Sequence, residues 1–381
     1  MIYLNNAATS YPKPESVIAA VSHHLNQIPN EPGRGGFEGQ DDILTTCRMN
    51  IGMLFRIGDI SRIILTSGST SALNFVIQGL FKLNSGGHCI TSSHEHNSVL
   101  RPLNHQSRNK NFRITHLPLD TILDLNQFEK SLDKQPTFVV INHVSNVTGT
   151  ILPIRELAHL CARKHIPICI DASQSAGSFA IDVRDFPGNI ILVFTGHKGL
   201  MGPMGTGGFY LGSEIELFEP IIQGGTGIRS DLMYQPKDLP LYYESGTMNL
   251  PGFAGLAAGV AAVCEIGAPR IGQHKNQLFC RLRESVKKSE LLKLFEPYEK
   301  NYTGGVFSFA IKGVNPSDIG MILKDSFGII NRSGLHCAPL IHREIGSSPQ
   351  GTVRLSCSWF TTFEEIDTAA DAINKILKKI E

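Results

Sequence analysis

The chain has 381 residues, and its 35 lysines and arginines against 34 aspartates and glutamates give a formal net charge of +1 at pH 7. Its charges are mixed and no run of like charge stands out, so it lacks the basic footprint that nucleic acid or an anionic membrane surface would attract. Neither is expected as a partner. A chain of this length can bury one large core and a smaller one, which predicts two closely packed domains.

The amino terminus, residues 1–6, has neither the basic start nor the apolar centre of a secretory signal. The most apolar long stretch, residues 253–264, is too short and too rich in alanine and glycine to span a bilayer. None of the eight cysteines forms a Cys-x-x-Cys pair, which leaves a zinc or thioredoxin-type motif unsupported. We expect a cytoplasmic protein with reduced, mostly core cysteines and no metal site.

Strand and helix signals alternate from about residue 43 to residue 212. The segment 66–70 precedes a helix whose apolar residues recur at helical spacing. Residues 138–142 form a short apolar run typical of a buried strand, and Pro153 then opens a helix. Two further apolar strands follow. Repeated strand and helix predict a mostly parallel sheet with right-handed crossovers.

The last third of the chain shows a different pattern. Residues 305–311 and 352–357 alternate apolar and polar side chains, which predicts half-buried strands. Thr362 and Glu365 form a capping box at the start of a final helix. The side chains expected to face inward on that helix are Phe363, Ile366, Ala370, Ile373 and Leu377.

These patterns divide the chain into two domains. We place a large α/β domain at residues 13–252 and a smaller α+β domain at residues 1–12 and 253–381. The boundary is expected in a helix around residues 253–270, because no low-complexity linker or internal repeat separates the two parts.

Two ionisable residues follow two of the apolar strands. Asp171 follows the run 166–170, and Lys198 comes shortly after the run 190–194. The carboxyl ends of neighbouring parallel strands form the edge where open α/β sheets bind ligands. A Schiff-base lysine with an aspartate opposite a ring nitrogen is the pair that pyridoxal phosphate requires. Alone, the pair also fits a solvated lysine and a helix-capping aspartate.

Several polar residues could complete such a site. Ser69 and Thr70 stand at a helix start behind Gly68, where backbone N–H groups, the helix dipole and two hydroxyls would hold a phosphate or where the residues would only cap the helix. His96 could stack on an aromatic ring or serve as a structural histidine. Asn146 could hold a carboxylate or a ring oxygen, or belong to a turn.

Arg354 and Cys337 are the candidates in the smaller domain. Arg354 alternates with apolar neighbours on a predicted strand, so it would either clamp a substrate carboxylate bidentately or face solvent. Cys337 lies in a short loop in which His336 and Arg332 could favour the thiolate. A loop between strands of a small domain is a poor place to bury a thiol, which favours a functional cysteine.

Segments along the whole chain resemble the class-V aminotransferase-fold enzymes of the cysteine desulfurase and selenocysteine lyase family. In family order they are residues 3–10, 66–74, 95–96, 143–149, 171–174, 195–198, 244–249, 332–339 and 353–354. The resemblance implies the fold of type I pyridoxal-phosphate-dependent transferases, an α/β fold with a large domain around a mostly parallel seven-stranded sheet and a smaller α+β domain. It also implies pyridoxal 5'-phosphate as the cofactor.

Carried over position by position, the resemblance assigns roles around that cofactor. Lys198 would bind it covalently, Asp171 would pair with the ring nitrogen and Gln174 with the ring hydroxyl. His96 would stack on the ring as a catalytic residue. The phosphate would be held by Ser69, Thr70, Thr195, His197 and, from a second subunit, Thr247.

The resemblance further implies the conversion of L-cysteine to L-alanine. Asn146 and Arg354 would bind the substrate carboxylate, and Cys337 would receive the sulfur as a persulfide. A sulfur-acceptor protein and a homodimer are implied as partners. The loop sequence is similar to the branch of the family whose cysteine lies on a short, structured loop.

Three departures from the family pattern leave alternatives open. The extra amino-terminal helix of the best-known members of this branch is missing, Asn5 stands where aspartate is commonest, and Leu335 stands where a histidine often occurs. Selenocysteine is an alternative substrate, and transamination or another β-elimination is an alternative reaction. A sulfur-relay protein with a vestigial site is disfavoured by the complete set Lys198, Asp171, His96 and Arg354.

Overall fold

The structure, a computed structural model, describes residues 1–28, 42–84, 87–108, 111–299 and 303–380. The strands in these ranges are β1 (Ile2–Tyr3), β2 (Ile63–Thr66), β3 (Gly87–Ser92), β4 (Phe112–Leu117), β5 (Phe138–Asn142), β6 (Ile168–Asp171), β7 (Ile190–Thr195), β8 (Gly207–Leu211), β9 (Leu292–Phe295), β10 (Val306–Ile311), β11 (Ile329–Ile330), β12 (Arg332–Gly334) and β13 (Thr352–Ser356). The α-helices are α1 (Glu15–Leu25), α2 (Ile43–Phe55), α3 (Ser69–Leu83), α4 (Asn97–Gln106), α5 (Leu119–Leu123), α6 (Leu125–Leu132), α7 (Ile154–Ala162), α8 (Leu250–Ile266), α9 (Ala268–Ser285), α10 (Pro316–Phe327), α11 (Pro339–Glu344) and α12 (Phe363–Ile380).

A seven-stranded sheet with the order β2-β8-β7-β6-β5-β3-β4 forms the centre of the larger unit. Neighbouring strands from β7 to β4 are parallel, while β8 runs antiparallel to both β7 and β2. The predicted α/β fold around a mostly parallel sheet is therefore confirmed. The sheet needs helices on both faces, because parallel strands are joined by crossovers that cover them.

Alternate residues of the central strands pack into two different cores. On β5, Val139 and Ile141 join one apolar cluster, while Phe138 and Val140 join another on the opposite face. All five residues of β5 are buried, as the short apolar run predicts. Burial on both faces leaves the ends of the strands as the places where polar side chains can meet a ligand.

The smaller unit is built on a four-stranded antiparallel sheet with the order β12-β13-β10-β9. The predicted strands exist, but the expectation that they are half-buried is wrong, since every residue of β13 is buried. One face packs into a core with α9, α10 and α12, and Arg354 on the other face lines a cavity against the large sheet. The larger unit thus covers the face of β13 that the alternating apolar and polar residues predicted to be exposed to solvent.

The capping box before α12 forms as predicted. Thr362 Oγ1 accepts a hydrogen bond from Glu365 N at 3.2 Å, and Glu365 Oε2 accepts one from Thr362 N at 2.9 Å. The predicted inward face is buried except for Phe363, which is 45% exposed. Phe363 is the first residue of α12, where it packs edge-on against His274 instead of entering the core.

The junction between the two units lies near the bend between α8 and α9. α8 contributes Phe253, Leu256 and Val260 to the core of the large sheet, and the chain turns by 78° at Gly267. α8 therefore packs on the large sheet, and the predicted domain bounds stay a prediction. At the other end of the chain, β1 pairs in parallel with β11, which attaches the first residues to the smaller unit.

In the described ranges, no single helix is both long and apolar enough to cross a membrane. By length and composition alone, α8 and α9 pass that test only when taken together as a bent pair.

The substitution Gly79→Ala tests the packing of α3 against Phe218, in the segment after β8. A Cβ at residue 79 would lie 2.0 Å from the ring of Phe218, which is fully buried. We expect the free energy of unfolding to fall by about 1–3 kcal/mol, the usual cost of overpacking, despite a gain of up to about 1 kcal/mol in helix propensity. Urea denaturation measures the change.

The matched control is Gly58→Ala, because nothing lies within 4 Å of a Cβ at residue 58. Equal unfolding midpoints for the two variants would contradict the packing described for Gly79.

Candidate active site

The carboxyl ends of the central strands meet at one edge of the large sheet. In the parallel register, Asn142 at the end of β5 lies beside Asp171 at the end of β6. A cavity with about 780 Å³ of empty space, partly open to solvent, occupies this edge. It brings together nine of the predicted site residues, namely Ser69, Thr70, His96, Asn146, Asp171, Gln174, His197, Lys198 and Arg354.

Three predicted site residues lie outside the lining of this cavity. Thr195 ends β7 and is 2% exposed. Cys337 lies on the loop after β12 and contacts Arg332, which does line the cavity. Thr247 is exposed in the segment before α8. The prediction that Thr247 reaches a cofactor site across a subunit interface stays a prediction.

Lys198 lies in the turn after β7, next to Asp171 and two arginines. Burial lowers the pKa of Lys198 to about 8, and the charges of Arg354 and Arg332 lower it further while Asp171 opposes the shift. A lysine with such a pKa carries a substantial neutral fraction near neutral pH, and the neutral amine is the nucleophile that forms Schiff bases. Lys198 is thus suited to bind an aldehyde covalently.

Asp171 presents a carboxylate to the same cavity. Its Oδ1 accepts hydrogen bonds from the Ser173 backbone N at 2.9 Å and from the Ser173 hydroxyl. Within the described residues, no hydrogen bond reaches Oδ2, which leaves that oxygen for a ligand. The residues after Asp171 form turns, so the aspartate does not cap an α-helix. Gln174 lies on the same turn, where its Nε2 donates to Ala7 O at 2.9 Å.

The first turn of α3 is open to an anion. Its N-cap is Gly68, at φ 144°, and no side chain caps the helix. Ser69 and Thr70 are therefore the first helical residues and not caps, with their backbone N–H groups at the positive end of the helix dipole. Thr70 Oγ1 shares a hydrogen bond of 2.7 Å with Ser98 Oγ.

His197 supplies a second sign of an anion near α3. Its Nδ1 is buried and has no hydrogen-bond partner in the described part of the chain. Burial lowers the pKa of His197 to about 4, with further lowering by Lys198 and Lys13, so the ring is neutral at pH 7 and carries one N–H. An unpaired buried nitrogen costs stability unless a ligand satisfies it. The residues at this end of the cavity therefore fit a phosphate group.

His96 combines both roles that its sequence context allowed. It is the N-cap of α4, and its Nδ1 accepts a hydrogen bond from Ser98 N at 3.1 Å. Burial lowers the pKa of His96 to about 4, and Lys198 adds to the shift. The ring is neutral and fixed by the cap, and it lines the cavity that Asp171 and Lys198 also line. A flat ring fixed in this way suits stacking on an aromatic cofactor.

Arg354 is fully buried, and its hydrogen-bond partners in the described part of the chain are neutral. Nη1 donates to Asn146 O at 3.0 Å, Nη2 donates to Asn5 Oδ1 at 3.2 Å, and Nε has no partner among the described residues. Burial and the like charge of Arg332 lower the pKa of Arg354 to about 9. A buried cation without a carboxylate partner is a binding site for a carboxylate ligand.

The Cys337 loop is held in an uncommon backbone conformation by contacts from the larger unit. His336 and Cys337 both have positive φ, at 48° and 58°. Asn146 Nδ2 donates to His336 O at 2.8 Å, and Asn97 N donates to Cys337 O at 2.7 Å. Such a conformation costs about 1–3 kcal/mol per residue, and it persists where surrounding contacts impose it. The strain fixes the cysteine beside the cavity.

Arg332 connects that cysteine to the cavity. Its Nη2 lies 3.0 Å from Cys337 Sγ, while the same residue belongs to the cavity lining. The guanidinium thus places a hydrogen-bond donor and a positive charge beside the sulfur. Cys337 is only partly buried, whereas Cys47, Cys89, Cys161, Cys169 and Cys357 are buried.

Two contacts near the cavity have no signal in the sequence pattern. Asn5 stands where aspartate is commonest in the family, and it accepts a hydrogen bond from Arg354, 349 positions along the chain. Glu95 was part of a matched segment without a role, and it is completely buried behind His96. The contact of Asn5 depends on the pairing of β1 with β11, and the position of Glu95 depends on its burial in the fold. Neither can be read from the sequence.

Comparisons with known proteins agree with this geometry. The family model described as Aminotransferase class-V matches residues 2–368. A probable cysteine desulfurase from Pyrococcus abyssi is 31% identical over 400 residues, which cover 100% of this chain and 95% of the relative. One from Methanothermobacter thermautotrophicus is 29% identical over 383 residues, covering 98% and 94%. The apo structure of a cysteine desulfurase from Thermococcus onnurineus NA1 matches with a TM-score of 0.87 at 29% identity, covering 99% of this chain and 95% of that one.

The substitution Arg332→Met tests the contact between the guanidinium and Cys337. Loss of the guanidinium removes the hydrogen-bond donor and the positive charge beside the sulfur, so alkylation of Cys337 by iodoacetamide at pH 7 should slow by several-fold. Peptide mass spectrometry assigns the alkylated cysteine and separates it from the exposed Cys264.

Arg343→Met serves as the control, since Arg343 is an exposed cation on α11. An alkylation rate at Cys337 that is unchanged by Arg332→Met would contradict the assigned contact.

Proposed function

Because this chain belongs to the class-V aminotransferase family, we propose that it is a pyridoxal-phosphate-dependent cysteine desulfurase. It converts L-cysteine to L-alanine and passes the sulfur to Cys337 as a persulfide. The observation that carries the proposal is the fixed loop that places Cys337 Sγ 3.0 Å from Arg332, at the margin of the cavity that Lys198 and Asp171 line. Relatives of similar length that bear the name cysteine desulfurase support it.

The residues that would hold the cofactor are those of the cavity. Lys198 would bind it covalently, Asp171 would pair with the ring nitrogen, and His96 would stack on the ring. The first turn of α3 and the unpaired Nδ1 of His197 would hold the phosphate. When bound, pyridoxal phosphate supplies an electron sink for the bond changes at the α-carbon of the amino acid.

Arg354 binds the α-carboxylate of the substrate in this proposal. Its Nε is unpaired within the described chain, and its two other nitrogens already point at neutral oxygens. A carboxylate would neutralise the buried charge and accept the unpaired N–H. Asn146 lies beside it, and its Nδ2 has a second hydrogen beyond the one donated to His336 O.

Lys198 and Cys337 carry out the chemical steps. The amino group of the bound cysteine would take the place of Lys198 on the cofactor and so free the lysine amine. That amine, with its pKa lowered to about 8, would accept the α-proton of the cysteine and later return a proton. Cys337 Sγ, as the thiolate, attacks the sulfur of the substrate. A sulfur–sulfur bond forms as the carbon–sulfur bond breaks, and the electron pair of the broken bond stays with the carbon, which is protonated to give alanine. No external oxidant or reductant is needed to form the persulfide.

The persulfide requires an acceptor, and a thiol-bearing sulfur-acceptor protein is the proposed partner. We also propose a homodimer in which Thr247 of one subunit reaches the phosphate end of the other. The exposed position of Thr247 outside the cavity supports this arrangement. Selenocysteine is the second candidate substrate, because its weaker carbon–selenium bond can break without attack by Cys337.

The substitution Cys337→Ala tests the persulfide step. We expect alanine formation from L-cysteine to fall by roughly 100-fold or more, since the attacking thiolate is removed. The absorption of bound cofactor should stay as in the wild type, because Cys337 is not among the residues that hold it. Cys264→Ala is the control, as Cys264 is an exposed cysteine on α8. Full activity of Cys337→Ala on cysteine would refute the transfer through this residue.

The same variant separates the two substrates. With selenocysteine, Cys337→Ala should keep most of the wild-type rate of selenide release, because elimination there does not depend on the thiolate. Equal losses on both substrates would contradict this difference in mechanism.

A further inference from the structure

A second buried carboxyl group, that of Glu95, lies directly behind the cofactor site. Glu95 is the residue before His96, in the turn between β3 and α4, and it is 0% exposed. Its Oε1 accepts a hydrogen bond from the Ser92 hydroxyl and another, at 2.9 Å, from the backbone N of Asn142. The turn that carries His96 is thereby attached to the end of β5.

A second hydrogen bond of Asn142 strengthens this attachment. Asn142 Nδ2 donates to His94 O at 3.1 Å, so β5 contacts the turn through both the backbone and the side chain of Asn142. His96 follows immediately and caps α4. Displacing Glu95 would therefore change where the His96 ring lies over the cavity.

Two unpaired oxygens reveal the protonation state of Glu95. Within the described ranges, Glu95 Oε2 and Asn142 Oδ1 are both buried without a hydrogen-bond partner. Two unpaired acceptors on residues already in contact are costly, whereas a proton on Oε2 turns that oxygen into a donor. A neutral carboxylic acid at this position avoids the cost of burying a charge on an unpaired oxygen, which a carboxylate would carry.

The charges around Glu95 favour the same state. In the described chain, no lysine, arginine or histidine nitrogen lies within 4 Å of its carboxyl oxygens, and the titratable groups that face it are Asp171, Cys89 and Cys169. Burial raises the pKa of Glu95 to about 8, and the nearby Asp171 raises it further, against the lowering by its hydrogen bonds. Asp171 is the only acidic residue in the described lining of the cavity.

We propose that Glu95 is a positioning residue of the cofactor site, a neutral carboxylic acid that fixes the His96 turn against β5 and leaves Asp171 as the only carboxylate facing the cofactor. The role of Asp171 and His96 in this statement rests on the proposed function. The neutral state of Glu95 does not, and it is tested separately.

Glu95→Gln tests the neutral state through the pH dependence of stability. Because the pKa of Glu95 is raised from 4.5 to about 8 in the folded chain, its contribution to stability is complete below about pH 4.5 and is lost as the pH rises through about 8. Between these values the unfolding constant of the wild type should rise by up to about tenfold per pH unit relative to Glu95→Gln.

Urea denaturation from pH 5 to pH 8.5 measures this ratio for the purified protein. The control is Glu344→Gln, which changes a partly exposed carboxylate that contacts the same turn through Ser93. Wild-type and Glu95→Gln stabilities that run parallel across this range would show an ionised Glu95 and overturn the proposal, whatever reaction the protein catalyses.

Binding of pyridoxal phosphate tests the positioning role, by absorption titration of the cofactor-depleted protein. Glu95→Gln keeps the shape and an N–H donor, so it should bind the cofactor within about threefold of the wild type and keep the same absorption spectrum. Glu95→Ala, which removes the attachment to β5, should weaken binding by tenfold or more and shift the spectrum. Weak binding by Glu95→Gln would overturn the role assigned to a neutral group, as would unchanged binding and spectrum in Glu95→Ala.

Discussion

The buried guanidinium of Arg354 joins the three parts of the chain from which the site is made. It comes from β13 of the smaller unit, donates to Asn5 of the amino-terminal segment and donates to Asn146 of the loop after β5. Burying a cation without a counter-charge costs several kcal/mol. The unpaired cation lies where the carboxylate of the proposed substrate would bind. Binding of that carboxylate would therefore stabilise the junction between the three parts of the chain.

The neutral residue at position 5 sharpens this arrangement. An aspartate there would form an ion pair with Arg354 and neutralise the guanidinium that is proposed to bind the substrate carboxylate. The amide oxygen of Asn5 orients the guanidinium and leaves its charge unpaired. Asn146 serves the same junction from the other side, since its carbonyl binds Arg354 and its amide holds the strained Cys337 loop. Occupation of the carboxylate site and the position of the thiol are thus connected through one asparagine.

The sequence predicts the large sheet well because its signals are local. Short apolar runs and helix-starting residues mark β5 and α7, and the order of strand and helix restricts the topology to parallel crossovers. The half-buried strands of the smaller unit were mispredicted for a non-local reason, since Arg354 on the second face of β13 contacts the loop after β5 in the larger unit. Phe363 was wrongly predicted to be buried. Helical periodicity gives the face of a helix on which a residue lies, but not whether the first turn of α12 reaches the core.

The candidate site divides in the same way between local and long-range information. Lys198 and Asp171 are recognisable from the strands that precede them, and the matched family segments indicate the remaining residues. The bond from Asn5 to Arg354 and the buried position of Glu95 depend on contacts between distant segments, which no motif contains. Buried polar atoms without partners at His197, Arg354 and Glu95 became visible only in the folded chain.

The most direct test of the account is the mass of the Cys337 peptide after a single turnover. The purified protein is mixed with one equivalent of L-cysteine without reductant, and peptide 333–343 is analysed while free alanine is quantified in the same sample. The account predicts one additional sulfur atom on Cys337 and an equal amount of alanine. Alanine formed with an unmodified Cys337, or a keto acid formed in place of alanine, would contradict it.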